Sequence, residues 1–128
     1  MVNDPTTSIR PLVAGYINNP DYEPSMFIDG AQAREMVDNN TVVVVVDTNK
    51  PSYTECQDLL YLTRTIVVLD HHRRGSEVIQ NAVLSYVEPY ASSTCEMVAE
   101  ILQYFSDDLR LRSLEAECLY AGIVIDYQ

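Results

Sequence analysis

Five consecutive valines at residues 42–46 constrain the fold of this chain more than any other feature. β-branched side chains favour strands. A run that is apolar at every position, instead of at alternate positions, indicates a strand buried on both faces, as in a parallel sheet. A second apolar run at residues 66–69 predicts another such strand over 65–69. Because segments with helical patterns separate the runs, we expect an α/β fold with a parallel, doubly wound, Rossmann-like sheet.

Shorter signals predict the remaining elements. Helices are predicted over residues 7–16 with an interruption at Pro11, over 31–38, over 53–62 after a Ser52 cap, from 92 or 93 to about 105, and from 113 onwards. Weaker strands are predicted over residues 26–28 and 82–87. The helix that ends near 105 carries an apolar stripe that is typical of a buried face, formed by Met97, Ile101, Leu102 and Phe105.

Composition narrows the classes of protein. The chain has 128 residues, enough for one domain with its own core. Its 19 acidic and 8 basic residues give a net charge of −11, which argues against sequence-independent binding of long nucleic acid. Its three cysteines form no CxxC motif, so we expect a reducing cytoplasm and neither a disulfide framework nor a thiolate zinc site. No apolar stretch reaches the roughly 20 residues that span a bilayer, so we expect no membrane contact by this segment.

Carboxylates and imidazoles follow the apolar runs. Asp47 follows the first run, and Asp70-His71-His72 follows the second and contains the only two histidines of the chain. A third apolar run, near the end of the chain, is followed by Asp126. Because ligands of open α/β sheets gather at the carboxyl ends of strands, these residues predict one site. Oxygen ligands with an imidazole suit manganese, magnesium or iron better than a thiolate-type zinc site.

Each candidate residue also has an ordinary structural explanation. An isolated Asp-His-His triplet is more often a solvated turn than a metal site, and Asp47 alone is typical of a strand end or an Asx turn. Arg73 and Arg74 suit phosphate oxygens but are also common as a solvated pair. Ser92 and Ser93 are more often a helix cap than a phosphate cradle. The joint occurrence of the strand-end ligands favours the functional interpretation.

Four strings of the sequence resemble a known family. They are residues 45–51 (VVDTNKP), 69–75 (LDHHRRG), 86–96 (YVEPYASSTCE) and 122–126 (GIVID). Their order and content are similar to the DHH phosphoesterase superfamily. Within it, the chain resembles the DHH domain of GdpP (YybT)-type bacterial cyclic-di-AMP phosphodiesterases, over residues from about 27 to 126.

The resemblance implies a metal centre. Its implied ligands are Asp47, His71 and Asp126, with Asp47 bridging two manganese ions in the complete domain. Magnesium or iron stays open as an alternative metal. The implied reaction is hydrolysis of cyclic-di-AMP to the linear dinucleotide by attack of a metal-activated water. A DHH nuclease or oligonucleotide phosphatase, and a catalytically inactive nucleotide-binding module, are the alternatives that the sequence leaves open.

The resemblance also implies which residues meet the substrate. His72 would contact the scissile phosphate, and Asp70 would orient the loop from behind the metal ligands. Arg73, Ser92 and Ser93 would contact the phosphate or the rest of the cyclic dinucleotide. A homodimer is left open as a further partner.

The sequence departs from the family pattern at both ends. No histidine precedes His71, so the His-x-x-x-Asp-x-Asp motif with which family members begin this domain is absent, and so is their C-terminal substrate-binding subdomain. Tyr127 follows Asp126 where the family leads us to expect threonine. We therefore expect residues 1–128 to be the central part of a DHH domain in a longer protein, cytoplasmic or membrane-anchored with a cytoplasmic catalytic domain. Alone, the segment is expected to bind metal weakly and to catalyse poorly.

Overall fold

The computed structural model describes residues 9–106 and 108–127, and for Pro24, Asp126 and Tyr127 it describes only the backbone. This part of the chain contains four α-helices and three strands. The helices are α1 (Arg10–Ile17), α2 (Gly30–Met36), α3 (Thr94–Leu102) and α4 (Ser113–Tyr127), and the strands are β1 (Val42–Val46), β2 (Thr65–Asp70) and β3 (Leu84–Val87). Short 3-10 helices cover Pro24–Met26, Pro51–Tyr53 and Gln57–Tyr61. Among the described helices, none combines the length and the apolarity needed to cross a membrane.

The three strands form one parallel sheet in the order β1-β2-β3. Val45 lies opposite Val68 on β2, and Leu69 lies opposite Tyr86 on β3. Neighbouring parallel strands cannot be joined by a tight hairpin, so each connection has to cross over the sheet. The predicted α/β class with a parallel sheet is confirmed, and all three carboxyl ends of the strands lie at one edge.

One face of the sheet carries the main core. Val45, Ile66 and Val68 pack there against Leu60 and Ile79, which come from the two segments that connect the strands. Ile66 and Val68 are completely buried. Burial of an aliphatic side chain of this size stabilises a fold by about 1.5–3 kcal/mol. The middle strand β2 is therefore the anchor from which the loop after Asp70 leaves the sheet.

The other face of β1 is open. Val42, Val44 and Val46 keep 57%, 51% and 50% of their surface exposed, whereas Val45 is buried. The prediction that β1 is buried on both faces is therefore wrong, because no described element covers the face that carries these three exposed valines. A groove of about 560 Å³ runs along this strand. The valine run reflects the strand propensity of β-branched residues more than two-sided burial.

Two predicted elements are replaced by other structures. Residues 26–28 are not a strand, because the chain forms a 3-10 helix and then an N-cap at Asp29. The Asp29 side chain accepts the N–H of Gln32, and the Gln32 side chain accepts the N–H of Asp29, so a capping box begins α2. Residues 53–62 are not one α-helix, because the extended backbone of Cys56 separates two 3-10 helices.

The outer helices differ from the predictions in detail. Pro11 lies in the first turn of α1 and does not interrupt it, because the first N–H groups of a helix have no intrahelical partner. Residues 7 and 8 of that predicted helix lie outside the described residues. Helix α3 begins after its Ser93 N-cap, as predicted, but ends before Phe105. Phe105 is consequently 74% exposed, whereas Met97 of the same predicted stripe is buried.

Helices α3 and α4 pack against each other and come closest at Gly122. A Cβ atom added to Gly122 would lie 3.1 Å from the Cβ atom of Cys95 and nearer still to its Sγ atom. Packing between the helices, and not an unusual backbone conformation, requires glycine at this position.

We expect Gly122→Ala to destabilise the chain by up to about 2 kcal/mol, because overpacking costs about 1–3 kcal/mol and the gain in helix propensity offsets roughly 1 kcal/mol of it. Urea unfolding measures the change. Adding Cys95→Ala should recover most of the loss, since it removes the sulfur that the new methyl group meets. Simple additivity of the two substitutions would contradict the close approach of the helices.

Candidate metal centre

The candidate ligands leave the sheet at the carboxyl ends of β1 and β2. Asp47 follows β1 directly, and its N–H donates to the carbonyl of Leu69 over 3.0 Å. Asp70 is the last residue of β2, and His71 and His72 follow it. Because the two strands are parallel neighbours, both loops begin at the same edge of the sheet. The topology thus brings together residues that are more than twenty positions apart in the sequence.

Asp47, His71 and His72 form a compact group of donor atoms. One ligand atom from each residue lies within 4.8 Å of the other two. The Nε2 atom of His71 is 3.7 Å from Oδ1 of Asp47, and the centres of the two imidazole rings are 4.2 Å apart. Two imidazoles and a carboxylate are a donor set that first-row divalent metals, manganese and iron among them, accept. The described residues therefore fit the metal that the sequence implies.

Asp47 has an unusual backbone. Its φ angle is 68°, and it is the one non-glycine residue with a positive φ in the described part of the chain. Aspartate enters this left-handed region more readily than most residues but still at a cost. Backbone strain of this kind concentrates at functional sites, where the rest of the structure maintains it. Here it turns an exposed carboxylate from the end of β1 towards His71.

Asp70 is the buried support of the histidine loop. Its side chain is completely buried, and its Oδ1 atom accepts the N–H of His71 over 2.9 Å and faces Nδ1 of His72 at 2.7 Å. Its Oδ2 atom accepts Nδ2 of Asn49 over 2.7 Å. A carboxylate oxygen accepts, so the proton of this bond lies on Nδ1 of His72. The Nε2 atom of His72 is then left for a metal or a substrate, the arrangement that supports many metal-binding histidines.

Cations line the rim of this acidic site. A cleft of about 140 Å³ beside the donor atoms includes Asp47, Lys50, Tyr53 and Arg73 in its lining. The Lys50 ammonium lies 4.8 Å from the centre of the Tyr53 ring, a cation–π contact that limits where it can point. Arg73 is exposed and makes no hydrogen bond or ion pair with the residues that the structure describes. Phosphate oxygens would find two cations here in a chain whose net charge is −11.

Arg74 has a different environment from Arg73. Its guanidinium donates to the hydroxyl of Ser85 over 3.2 Å and faces the Ser85 carbonyl at 3.5 Å. The second arginine of the pair is therefore held against β3. Only the first of the two is directed to the cleft beside the donor atoms.

Ser92 and Ser93 are engaged at the start of α3. Ser93 is completely buried, and its hydroxyl accepts the N–H of Glu96, so the predicted cap is confirmed for this residue. The hydroxyl and the N–H of Ser92 donate to the Glu96 carboxylate over 2.6 Å and 2.8 Å. These two bonds, with the hydroxyl contributing most, hold the pKa of the Glu96 carboxyl below its usual value. The geometry gives both serines a structural role at the helix N-terminus.

Asp126 does not follow a strand. The helix predicted from residue 113 onwards is confirmed as α4, which extends from Ser113 to Tyr127 and includes the apolar run at residues 121–125. The strand-like interpretation of this run is therefore wrong. Strand and helix cannot be distinguished in a short apolar run by periodicity alone. The side chain of Asp126 lies outside the described residues. Two strand ends, and not three, therefore build the described site.

Sequence reasoning missed four residues that line this cleft, namely Thr48, Asn49, Lys50 and Tyr53. The signal that could have identified them is their place directly behind Asp47, where a polar stretch leaves the end of a strand. The burial of Asn49, which makes partners for its amide necessary, is visible only in the structure.

Known proteins resemble this chain over most of its length. Residues 6–123 match the model of the DHH family, N-terminal domain. The chain is 42% identical over 120 residues to the cyclic-di-AMP phosphodiesterase GdpP of Bacillus subtilis (strain 168), which covers 94% of this chain and 18% of the relative. It is 50% identical over 95 residues to GdpP of Geobacillus thermodenitrificans (strain NG80-2), covering 74% of this chain and 14% of the relative.

A third relative comes from Listeria monocytogenes serotype 1/2a (strain 10403S). Its cyclic-di-AMP phosphodiesterase PdeA is 44% identical over 94 residues, which covers 73% of this chain and 14% of the relative. The chain therefore spans between 14% and 18% of the length of these three relatives.

Proposed function

This chain belongs to the DHH family, and on that premise we propose that it is the central part of a metal-dependent phosphodiesterase that hydrolyses cyclic-di-AMP to the linear dinucleotide. The names of the three relatives support the substrate. The observation that carries the proposal is the group of Asp47, His71 and His72, with donor atoms within 4.8 Å and Asp70 buried behind them. The first metal motif and the C-terminal subdomain would come from other parts of a longer protein.

Asp47 and His71 would hold the metal. Their facing atoms lie 3.7 Å apart and belong to different loops, so each loop would supply one ligand. Asp126 would be a further ligand. Manganese is the metal we propose, with two ions in the complete site. When bound, the metal acidifies a water molecule and neutralises phosphate oxygens.

His72 and the rim cations would bind the scissile phosphate. The bond to Asp70 fixes the His72 ring and directs Nε2 away from the core, where it can meet a phosphate oxygen. Arg73 offers a planar pair of donors and Lys50 a point charge, which together favour a phosphodiester over a neutral ligand. The homodimer and the membrane anchor stay expectations for the longer protein.

We expect His71→Ala and His72→Ala to have different effects. His71→Ala should weaken Mn²⁺ binding by more than roughly 10–100-fold, which is the loss typical of replacing a residue that only hydrogen-bonds to a metal ligand. His72→Ala should leave Mn²⁺ affinity within a few-fold and lower kcat by roughly 10²–10³, the loss typical of removing one hydrogen-bond donor to the charge that develops in the transition state. Titration of Mn²⁺ followed by electron paramagnetic resonance, with steady-state kinetics on the longer protein, separates the two. Equal loss of Mn²⁺ affinity in both variants would make His72 a metal ligand instead.

A comparison of substrates tests the proposed function. The longer protein that carries this segment, supplied with Mn²⁺, should hydrolyse cyclic-di-AMP with a higher kcat/KM than a linear dinucleotide or single-stranded DNA. Preference for either of the other substrates would indicate an oligonucleotide phosphatase or a nuclease. Binding of cyclic-di-AMP without turnover would indicate a nucleotide-binding module, and each of these results contradicts the proposal.

A further inference from the structure

We propose that Asn49 is a positioning residue that connects the Asp47 loop to the histidine loop and fixes the imidazole of His72 through Asp70. The proposal rests on the proposed function where it concerns turnover. It goes beyond that function in naming a residue that touches neither metal nor substrate in the arrangement described above.

Asn49 is held between the two loops. It is only 4% exposed, and its Nδ2 atom donates to Oδ2 of Asp70 over 2.7 Å. The same Nδ2 group donates to the main-chain carbonyl of His72 over 3.3 Å. Its own carbonyl accepts the N–H of Ile79 over 3.0 Å, which fastens the residue to the segment that covers the core. One side chain thus contacts both the support of the histidine loop and the loop itself.

The orientation of the side-chain amide indicates that the role of Asn49 is to donate hydrogen bonds. Both hydrogen bonds of the side chain are donated, whereas its Oδ1 atom is buried and has no partner among the described residues. An orphaned buried acceptor is unfavourable, and structures keep one only where something else requires the arrangement. The requirement here is a donor for Oδ2 of Asp70, which lies where water does not reach.

The effect of Asn49 on His72 follows from the shared carboxylate. Oδ1 of Asp70 holds Nδ1 of His72 and the N–H of His71, and Oδ2 is held by Asn49 alone among the described residues. Without Asn49, the carboxylate can rotate about its last bond and its contact with Nδ1 loosens. The imidazole of His72 then exchanges between its two tautomers, and the loop no longer keeps His71 beside Asp47.

The tautomer of His72 can be measured, and it would not change if Asn49 had only a structural role. The chain contains only two histidines, so ¹⁵N labelling of histidine gives a spectrum of two rings. Two-bond ¹H–¹⁵N correlation, recorded where both imidazoles are neutral, should show His72 as the single Nδ1–H tautomer in the wild type. Asn49→Ala and the milder Asn49→Ser should shift His72 to a mixture of tautomers and weaken Mn²⁺ binding by roughly 10–100-fold.

Asn81→Ala is the control for loss of one amide donor, at an exposed position. Asn81 also donates one 2.7 Å bond from its Nδ2 atom, to the carbonyl of Leu60, but away from the metal centre. We expect it to leave the His72 tautomer and Mn²⁺ affinity unchanged, with kcat unchanged in the longer protein. A single Nδ1–H tautomer in folded Asn49 variants would overturn the proposal, and so would loss of folding in both, which would make Asn49 a residue of general stability. Neither measurement needs turnover, so a failure of the proposed function is seen separately, in the substrate comparison.

Discussion

The Asp47→Asn variant is expected to lose Mn²⁺ binding by more than the roughly 10–100-fold that residues behind metal ligands contribute. Asp47 is the one carboxylate of the donor group formed by Asp47, His71 and His72, and asparagine replaces its charged oxygen with an amide. Asparagine tolerates the left-handed backbone at this position, so the fold should be kept. Mn²⁺ titration of the longer protein measures affinity, and its kcat should fall with it.

Asp58→Asn is the charge-matched control for this substitution. Asp58 is an exposed carboxylate that pairs with Arg34 over 3.1 Å, on the surface and away from the donor group. Exposed ion pairs contribute at most about 1 kcal/mol, so little change in stability is expected. Unchanged Mn²⁺ affinity in Asp47→Asn, or an equal loss in Asp58→Asn, would exclude Asp47 as a ligand.

Asp70→Ala is expected to have the largest effect on stability, a loss of about 3 kcal/mol or more from the free energy of unfolding. The substitution removes a completely buried carboxylate that accepts the N–H of His71, Nδ1 of His72 and Nδ2 of Asn49, and Asn49 keeps only its longer bond to the His72 carbonyl. Urea unfolding of the chain measures the loss. Mn²⁺ affinity should fall as well, because His71 and His72 lose the group that orients them.

Asp38→Ala provides the comparison with an exposed carboxylate. Asp38 also accepts two hydrogen bonds, from the N–H of Asn40 over 2.8 Å and from the hydroxyl of Thr41 over 3.1 Å, but in an exposed turn. Water replaces the lost partner there, and a cost of about 1 kcal/mol is expected. If Asp70→Ala proved no more costly than Asp38→Ala, burial would not be what makes the Asp70 network important.

The strands were predictable because their signal is local. Residues 65–69 and 82–87 carry β-branched and aromatic side chains between turn signals, and strands form at both places. The cap of α3 at Ser93 is local in the same sense, since one hydroxyl meets one N–H three residues later. The ligands at the ends of β1 and β2 followed from these strands and from the parallel topology.

Other features depend on contacts that no local pattern reports. Ser52 suggests a helix cap, yet Cys56 adopts an extended backbone that takes its side chain into the cluster with Ala33 and Leu59. The exposure of Val44 depends on which elements cover β1, and valine is equally favourable in a half-exposed strand. The run before Asp126 belongs to a helix because it continues one that begins at Ser113, several turns earlier.

The support of the site was less predictable than its ligands. The resemblance implied that Asp70 orients the loop, but its two oxygens and their three donors are visible only in three dimensions. The residue type of Asn49 did not indicate its position in the site, since asparagine is common in the turn that follows a strand. Its burial and its partners across the two loops distinguish it.

The positive φ angle of Asp47 has a consequence for how such a chain can change over time. Glycine at this position would relieve a left-handed backbone that costs a side-chain-bearing residue roughly 1–2 kcal/mol, so Asp47→Gly, which removes the proposed metal ligand, should be the more stable protein. Selection for stability and selection for the reaction then oppose each other at one residue. In relatives that no longer need the reaction, we expect glycine to replace aspartate at position 47 early. Such a replacement would identify a protein that has kept the fold and lost the activity.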